Sequence, residues 1–295
     1  MKFRGHETFS IRKGWLSKGM REVAADPTVF SAKQHNPMDV FGIGSNMVKS
    51  LRYWLSAVGL VQASKGKSSS LSLTEFGELV HVFDPYVEET GTLWLLHYHL
   101  VKKPDLATSW YFFFNEFQLS EFDKEDFAAA LANYARMNGG IDPPLRSLED
   151  DFNCIVNTYI PRYKISPTKE DPESNMECPL SELGLLELQN RKSRLYRKNV
   201  PAAHTIPSAI AAAVLLDQAA GRREIPLTEI QTKPGGLGKA FNLDTITLLT
   251  VLNEVERAGF VKVIRTAGLD VLQITTDLTF LGCVERYYQT LSQRF

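Results

Sequence analysis

Long apolar runs are missing from this 295-residue chain. The longest, Ala209 to Leu216, falls far short of the roughly 20 residues a membrane-spanning helix needs. The first 20 residues have no apolar segment of the signal-peptide kind. The sequence therefore reads as cytoplasmic, with no membrane contact. Cysteine is scarce: Cys154, Cys178 and Cys283 are an odd number with no Cys-x-x-Cys spacing, which speaks against a disulfide scaffold or a zinc ribbon. What is present, 44% hydrophobic and 23% charged residues, argues against general disorder and for two or three globular domains.

Acidic residues are absent between Val40 and Thr74. Residues 1 to 74 carry eleven Lys and Arg against four Asp and Glu, a balance of +7, whereas the whole chain is at -1. The remaining 221 residues must then carry -8. Such asymmetry points to a basic nucleic-acid-binding module attached to something else.

Periodicity gives that module a shape. Val48, Leu51, Leu55 and Val58 share one helical face behind Ser45 as an N-cap, and Gly59 stops the helix. Leu60 to Ala63 and Leu71 to Thr74 then read as two strands around a polar turn, Ser64 to Ser70. A helix running into a hairpin is the layout of a winged helix-turn-helix, whose helix enters the major groove. The polar side of the helix is expected to show Ser45, Asn46, Lys49, Arg52 and Tyr53, with Lys65 and Lys67 at the wing tip where phosphates are met.

The layout repeats near the C-terminus. Pro207 to Ala220 and Leu227 to Ile230 read as helices, Asp244 as the cap of a longer one, and Phe260 to Arg265 with Val271 to Ile274 as a hairpin. Glu254 and Glu256 beside Arg257 predict an acidic exposed face. Its expected occupant is protein, either a partner or another copy of the chain as a homodimer. The fold class expected is therefore mainly α with small β-hairpins, two winged helix-turn-helix modules flanking a helical, aromatic-rich middle. The boundaries read as 1–83, 84–160, a linker and basic segment over 161–200, and 201–295.

Chemical motifs are harder to find. Gly42-Ile43-Gly44 and Lys233-Pro234-Gly235-Gly236-Leu237-Gly238-Lys239 both lack the full pattern of a phosphate loop, so no nucleotide cofactor is expected. His97 and His99, two apart on a helix, point to different faces. Glu149-Asp150-Asp151 offers carboxylates of the kind that hold Mg²⁺ or Mn²⁺, or simply a solvated helix end. Arg191 to Lys198 packs five cations into eight residues, including Arg194 and Arg197, a second phosphate strip or a solvated helix end. The opening Arg4-Gly5-His6-Glu7-Thr8-Phe9 combines a cation, an imidazole and a carboxylate. With Arg12 and Lys13 it reads as a basic arm packed near the first module; the other reading makes His6 and Glu7 catalytic and Glu7, Asp150 and Asp151 the metal ligands.

The stretches FRGHETFSIRKGWLSKG, GIGSNMVKSLRYWL, CPLSELGLLE and LYRKN resemble a bacterial family associated with DNA phosphorothioation, typified by the DNA nickase subunit of a single-strand phosphorothioation system. The resemblance runs over nearly the whole chain. It implies a role in DNA modification and anti-phage defence, with double-stranded DNA, a cysteine desulfurase, an ATPase and a sulfur-activating enzyme as partners. It also implies nicking of one strand before sulfur insertion. None of the familiar nuclease signatures is visible, so two other readings stand beside it: a non-catalytic winged-helix adaptor, and a transcription regulator.

Overall fold

Three small antiparallel sheets are threaded through a helical framework in the computed structural model, which describes residues 1–31, 35–64, 70–161, 177–266 and 269–293. The first unit contains α1 (Trp15–Ala25), α2 (Pro37–Phe41), α3 (Ser45–Ala57), the strands β1 (Val61–Ala63) and β2 (Leu71–Leu73), and α4 (Glu75–Phe83). Gly44 rather than Ser45 caps α3. Val48, Leu51, Trp54, Leu55 and Val58 are buried along it. Gly59 takes φ 78°, which lets the Leu60 N–H turn back to the Leu55 carbonyl at 2.9 Å. Thr74 closes the hairpin: its hydroxyl donates to the Gly59 carbonyl at 2.6 Å and accepts from Gly77 N at 2.9 Å, so one side chain ties the end of α3 to the start of α4. Lys65 and Lys67 lie outside the described residues.

The middle is built from α5 (Thr90–Val101), α6 (Thr108–Asn115), α7 (Lys124–Gly139) and α8 (Leu145–Tyr159). Nearly every residue of α5 is buried, and the aromatic stretch that follows forms core. Phe113 meets the rings of Phe114, Phe117, Phe122 and Phe127 at centroid distances of 5.0 to 6.0 Å. Each such pair adds about 1 kcal/mol beyond burial. The described part of 161–200 is neither linker nor helix end: β4 (Leu186–Asn190) and β5 (Leu195–Lys198) form a hairpin, and β3 (Glu121–Phe122) joins β5. Tyr196 is buried against Phe122 and Phe152, which fixes the hairpin to the middle helices.

The last unit runs α9 (Ser208–Ala219), β6 (Glu224–Pro226), α10 (Leu227–Thr232), α11 (Leu237–Ala240), α12 (Thr245–Arg257), β7 (Val261–Thr266), β8 (Leu269–Ile274) and α13 (Phe280–Ser292). Asp244 caps α12, its carboxylate accepting from Thr247 N at 2.7 Å. The sequence reading missed β6, which pairs with β8 to make the sheet three-stranded. The expected acidic face is also corrected. Glu256 turns inward to accept from Val263 N at 3.0 Å, and Glu254 is paired with Arg257 at 2.6 Å, so neither carboxylate stands alone.

His97 joins the middle to this last unit. One ring nitrogen meets the Tyr159 hydroxyl at 2.7 Å and the other the Ala240 carbonyl at 2.6 Å. The carbonyl can only accept, so Nε2 carries the proton and Nδ1 accepts from the tyrosine. Burial pushes this histidine down to about 4.

Candidate nucleic-acid face and the buried histidine behind it

The opening loop lies between α3 and the middle helices and is fastened to both. Lys2 N donates to Thr108 Oγ1 at 2.7 Å, and Arg4 N donates to Asp151 Oδ1 at 2.8 Å. Gly5 sits against Tyr53, where an added Cβ would lie 2.5 Å from the ring, so the close approach needs glycine. His6 is fully buried, stacked 6.0 Å from Trp54 and edge-on to Trp110 at 5.5 Å. Its Nδ1 accepts from Thr8 N at 3.0 Å, which leaves the proton on Nε2 to be donated to Asp151 Oδ1 at 2.7 Å. The Ser109 hydroxyl donates to the other oxygen of Asp151. One buried carboxylate thus gathers donors from the loop and from α6.

The backbone around it is strained. Arg4, Glu7 and Thr8 take φ values of 53°, 49° and 69°, a region that costs side-chain-bearing residues on the order of 1 kcal/mol each. Contacts on either side of His6 hold it there. This Ser–Asp–His group is not arranged as a nucleophilic triad, because the carboxylate sits at its centre and the serine has no base beside it. All three side chains are closed to solvent. As arranged, the group clamps the loop.

The carboxylates proposed as metal ligands do not converge. Glu7 is exposed, whereas Asp151 is buried beneath the loop. Asp150 pairs with Arg4 at 3.0 Å and Glu149 lies 4.0 Å from Lys124. Among the described residues no three His, Cys, Asp or Glu side chains are placed to hold a metal ion.

The outward side of the assembly is polar and basic. Ser45, Asn46 and Lys49 are exposed on α3 and Arg52 is half-buried, with Lys49 Nζ donating to Asn46 Oδ1 at 3.3 Å. Tyr53 is not on this face: it is buried and donates to the Leu106 carbonyl at 3.1 Å. Ser50 and Trp54 also turn inward, both donating to the Phe9 carbonyl, at 3.3 and 2.8 Å. The loop covers one side of α3 and leaves the cationic side open.

The other predicted cations are more scattered. The Arg4 guanidinium is half exposed, Arg12 lies over Phe9 and Trp15, and Lys13 reaches Glu88 at 3.7 Å. Arg194 and Arg197 are exposed on the β4–β5 hairpin, where Arg197 pairs with Glu187 at 2.5 Å. They belong to the sheet on the middle helices rather than to the α3 unit. Spacing gave no warning of Ser109, Trp54 or Trp110, nor that Lys198 of the five-cation tract is spent inside the fold: its ammonium donates to the Phe113 and Phe117 carbonyls, and its pKa is pushed down to about 7 by burial and by Lys239.

The family model described as "Protein of unknown function (DUF4007)" matches residues 3–288. No curated protein matches the chain. Two crystal structures are similar over its whole length. A magnesium ion-bound SspB superimposes with a TM-score of 0.84 at 27% identity, covering 100% of this chain and 88% of that one. A second SspB structure gives 0.83 at 28%, with the same coverage.

Proposed function

The chain belongs to the DUF4007 family and is SspB-like along its full length, and from that premise we propose that it is a protein of a bacterial DNA phosphorothioation system that grips duplex DNA through its first helix–hairpin unit. One observation carries this reading. The helix in the recognition position, α3, keeps Ser45, Asn46, Lys49 and Arg52 on its uncovered side, and no acid lies between Val40 and Thr74. Polar residues of this kind reach base edges and phosphates, and the lack of acids leaves the polyanion unopposed. The order of α1, α2, α3 and the β1–β2 hairpin supports assigning a winged helix-turn-helix, and the helices, strand and hairpin of the last unit support a second.

In this role the protein places DNA for a cysteine desulfurase, an ATPase and a sulfur-activating enzyme. A second reading adds metal-dependent nicking of one strand; the magnesium ion found on a similar structure favours it. Nicking requires an activated water and a divalent ion to stabilise charge on the phosphate, so His6 and Glu7, or Glu7 with Asp150 and Asp151, would have to be brought together from the closed arrangement described above.

Duplex affinity measured against salt tests the first reading. The Lys49→Glu, Arg52→Glu variant is expected to weaken binding on every sequence and to lower the salt slope by about 2; an unchanged slope refutes the α3 assignment. Conversion of supercoiled plasmid to open circles with Mg²⁺ or Mn²⁺, but not with EDTA, supports nicking. Binding with no strand scission leaves the adaptor reading.

A further inference from the structure

The end of α4 exposes apolar side chains among acids. Val82 is 69% exposed, Tyr86 70% and Phe83 39%. Glu75 and Glu78 are exposed earlier on α4, and steps of three and four carry Glu75, Glu78 and Val82 along one stripe. The chain then turns around Asp84, whose buried carboxylate accepts from Glu88 N and Glu89 N at 2.9 and 3.0 Å and leaves Tyr86 and Glu88 in solvent. The helix α13 backs this corner: Phe83 stacks 5.4 Å from Tyr288, and the Tyr287 hydroxyl accepts from Gly91 N at 3.0 Å. Beside it opens a cleft of about 750 Å³, walled by Trp94, Phe260 and Tyr287 and carrying Glu89 and Glu182 in its lining.

The charges of this surface are unequal. Glu75, Glu78, Glu88, Glu89 and Glu182 are five carboxylates, and the cations among them are two, Lys13 at 3.7 Å from Glu88 and Arg286 over the Phe260 ring at 4.9 Å. The balance is -3, with His204 of the cleft counted neutral. Such a surface repels phosphate, which excludes DNA, and it repels its own copy across a two-fold contact. Exposed apolar groups gathered in one place, Tyr among them, are the anchors of protein interfaces. We propose that this corner docks a basic, apolar segment of a partner protein. Its apolar side chains cover Val82, Phe83 and Tyr86, and a Lys or Arg enters the cleft, stem against the apolar wall and charge toward Glu89 and Glu182. None of the α3 cations takes part, so one molecule can hold duplex DNA and this partner together.

Fluorescence anisotropy of the full chain with labelled amphipathic peptides of about 14 residues tests the assignment. A leucine–lysine peptide is expected to bind at least about tenfold more tightly than a leucine–glutamate peptide of the same pattern or a serine–lysine one. Val82→Ser, Tyr86→Ser should weaken it at least about tenfold by removing the apolar anchors. Glu78→Gln, Glu88→Gln should weaken it too, by a factor that shrinks as salt is raised. All four side chains are exposed, and matched melting curves verify that each variant is folded. Lys49→Glu, Arg52→Glu should leave peptide affinity unchanged, which separates this surface from the α3 reading. Equal binding of the three peptides, or equal affinity of Val82→Ser, Tyr86→Ser and the wild type, overturns the proposal. So does loss of duplex affinity in that variant at unchanged Tm, which makes the surface a nucleic-acid contact, or a concentration-dependent rise in mass above 33.2 kDa that the variant abolishes, which makes the occupant a second copy.

Discussion

Replacing His6 with alanine separates a clamp from a catalyst. The substitution removes the Nε2 proton that Asp151 accepts at 2.7 Å, the Nδ1 acceptor of Thr8 N, and a ring held between Trp54 and Trp110. A buried polar group left unpaired costs about 1–3 kcal/mol. The void left by an imidazole, roughly 70 Å³, costs about another 2 kcal/mol. Release of the left-handed strain at Arg4, Glu7 and Thr8 offsets part of this, on the order of 1 kcal/mol per residue relaxed. A net loss of about 3 kcal/mol is expected, a fall in Tm of about 6 °C at roughly 2 °C per kcal/mol. Glu7→Ala, at an exposed position, should stay within about 0.5 kcal/mol of the wild type. Thermal melts followed by circular dichroism read both, with duplex binding and plasmid nicking measured well below Tm. If His6→Ala melts within about 1 °C of the wild type and yet abolishes nicking, the clamp reasoning is wrong and the histidine does chemistry.

Two further substitutions probe the joints of the fold. His97 is held neutral in the folded protein, its pKa lowered from 6.5 to about 4, so the unfolded chain takes up the proton first as pH falls. Its contribution is present above about pH 6.5 and lost on the way down to about pH 4, on the order of 3 kcal/mol in all. His97→Gln should therefore lose less stability over that interval than the wild type, and identical pH profiles by urea titration would count against the assignment. Gly77→Ala would place a Cβ 2.1 Å from the Leu60 carbonyl oxygen, forcing α4 off the end of α3. A destabilisation of about 3 kcal/mol or more is expected; a melting curve like that of the wild type would mean that the contact relaxes without cost.

What could be read from the sequence followed a simple division. Local patterns survived: the period of Val48, Leu51, Leu55 and Val58 ended at Gly59, and Asp244 capped the helix it preceded. Pairings did not. The charges at Glu254 and Glu256 were legible, but not that one is spent on Arg257 and the other on Val263 N. Arg191 to Lys198 read as a basic tract because five cations masked the alternation that buries Tyr196 against the middle helices. The glycines of Lys233 to Lys239, which imitate a phosphate loop, serve close packing: a Cβ on Gly235 would lie 2.8 Å from the Lys102 carbonyl, and one on Gly238 2.6 Å from that of Gln231. Tyr53 fell on the polar side of α3 by spacing alone, since only folding brings the loop from residues 2 to 9 across that side.

The same loop explains why the motif and the DNA face cannot be judged separately. Phe9 accepts from Ser50 and Trp54 of α3, while Arg4 and His6 hold Asp151 of α8, so the orientation of the cationic helix against the middle unit depends on a carboxylate far from it in sequence. A substitution in the loop that releases Asp151 also frees one side of α3. Loss of DNA binding after such a change reports lost positioning unless the variant is still folded and Lys49→Glu gives a loss of its own without a change in Tm. Lys49 is exposed and can be altered at little cost in stability, about 0.5 kcal/mol or less, whereas the buried histidine cannot. That difference in Tm, measured on the two variants side by side, assigns a binding defect to contact with DNA or to the support behind it.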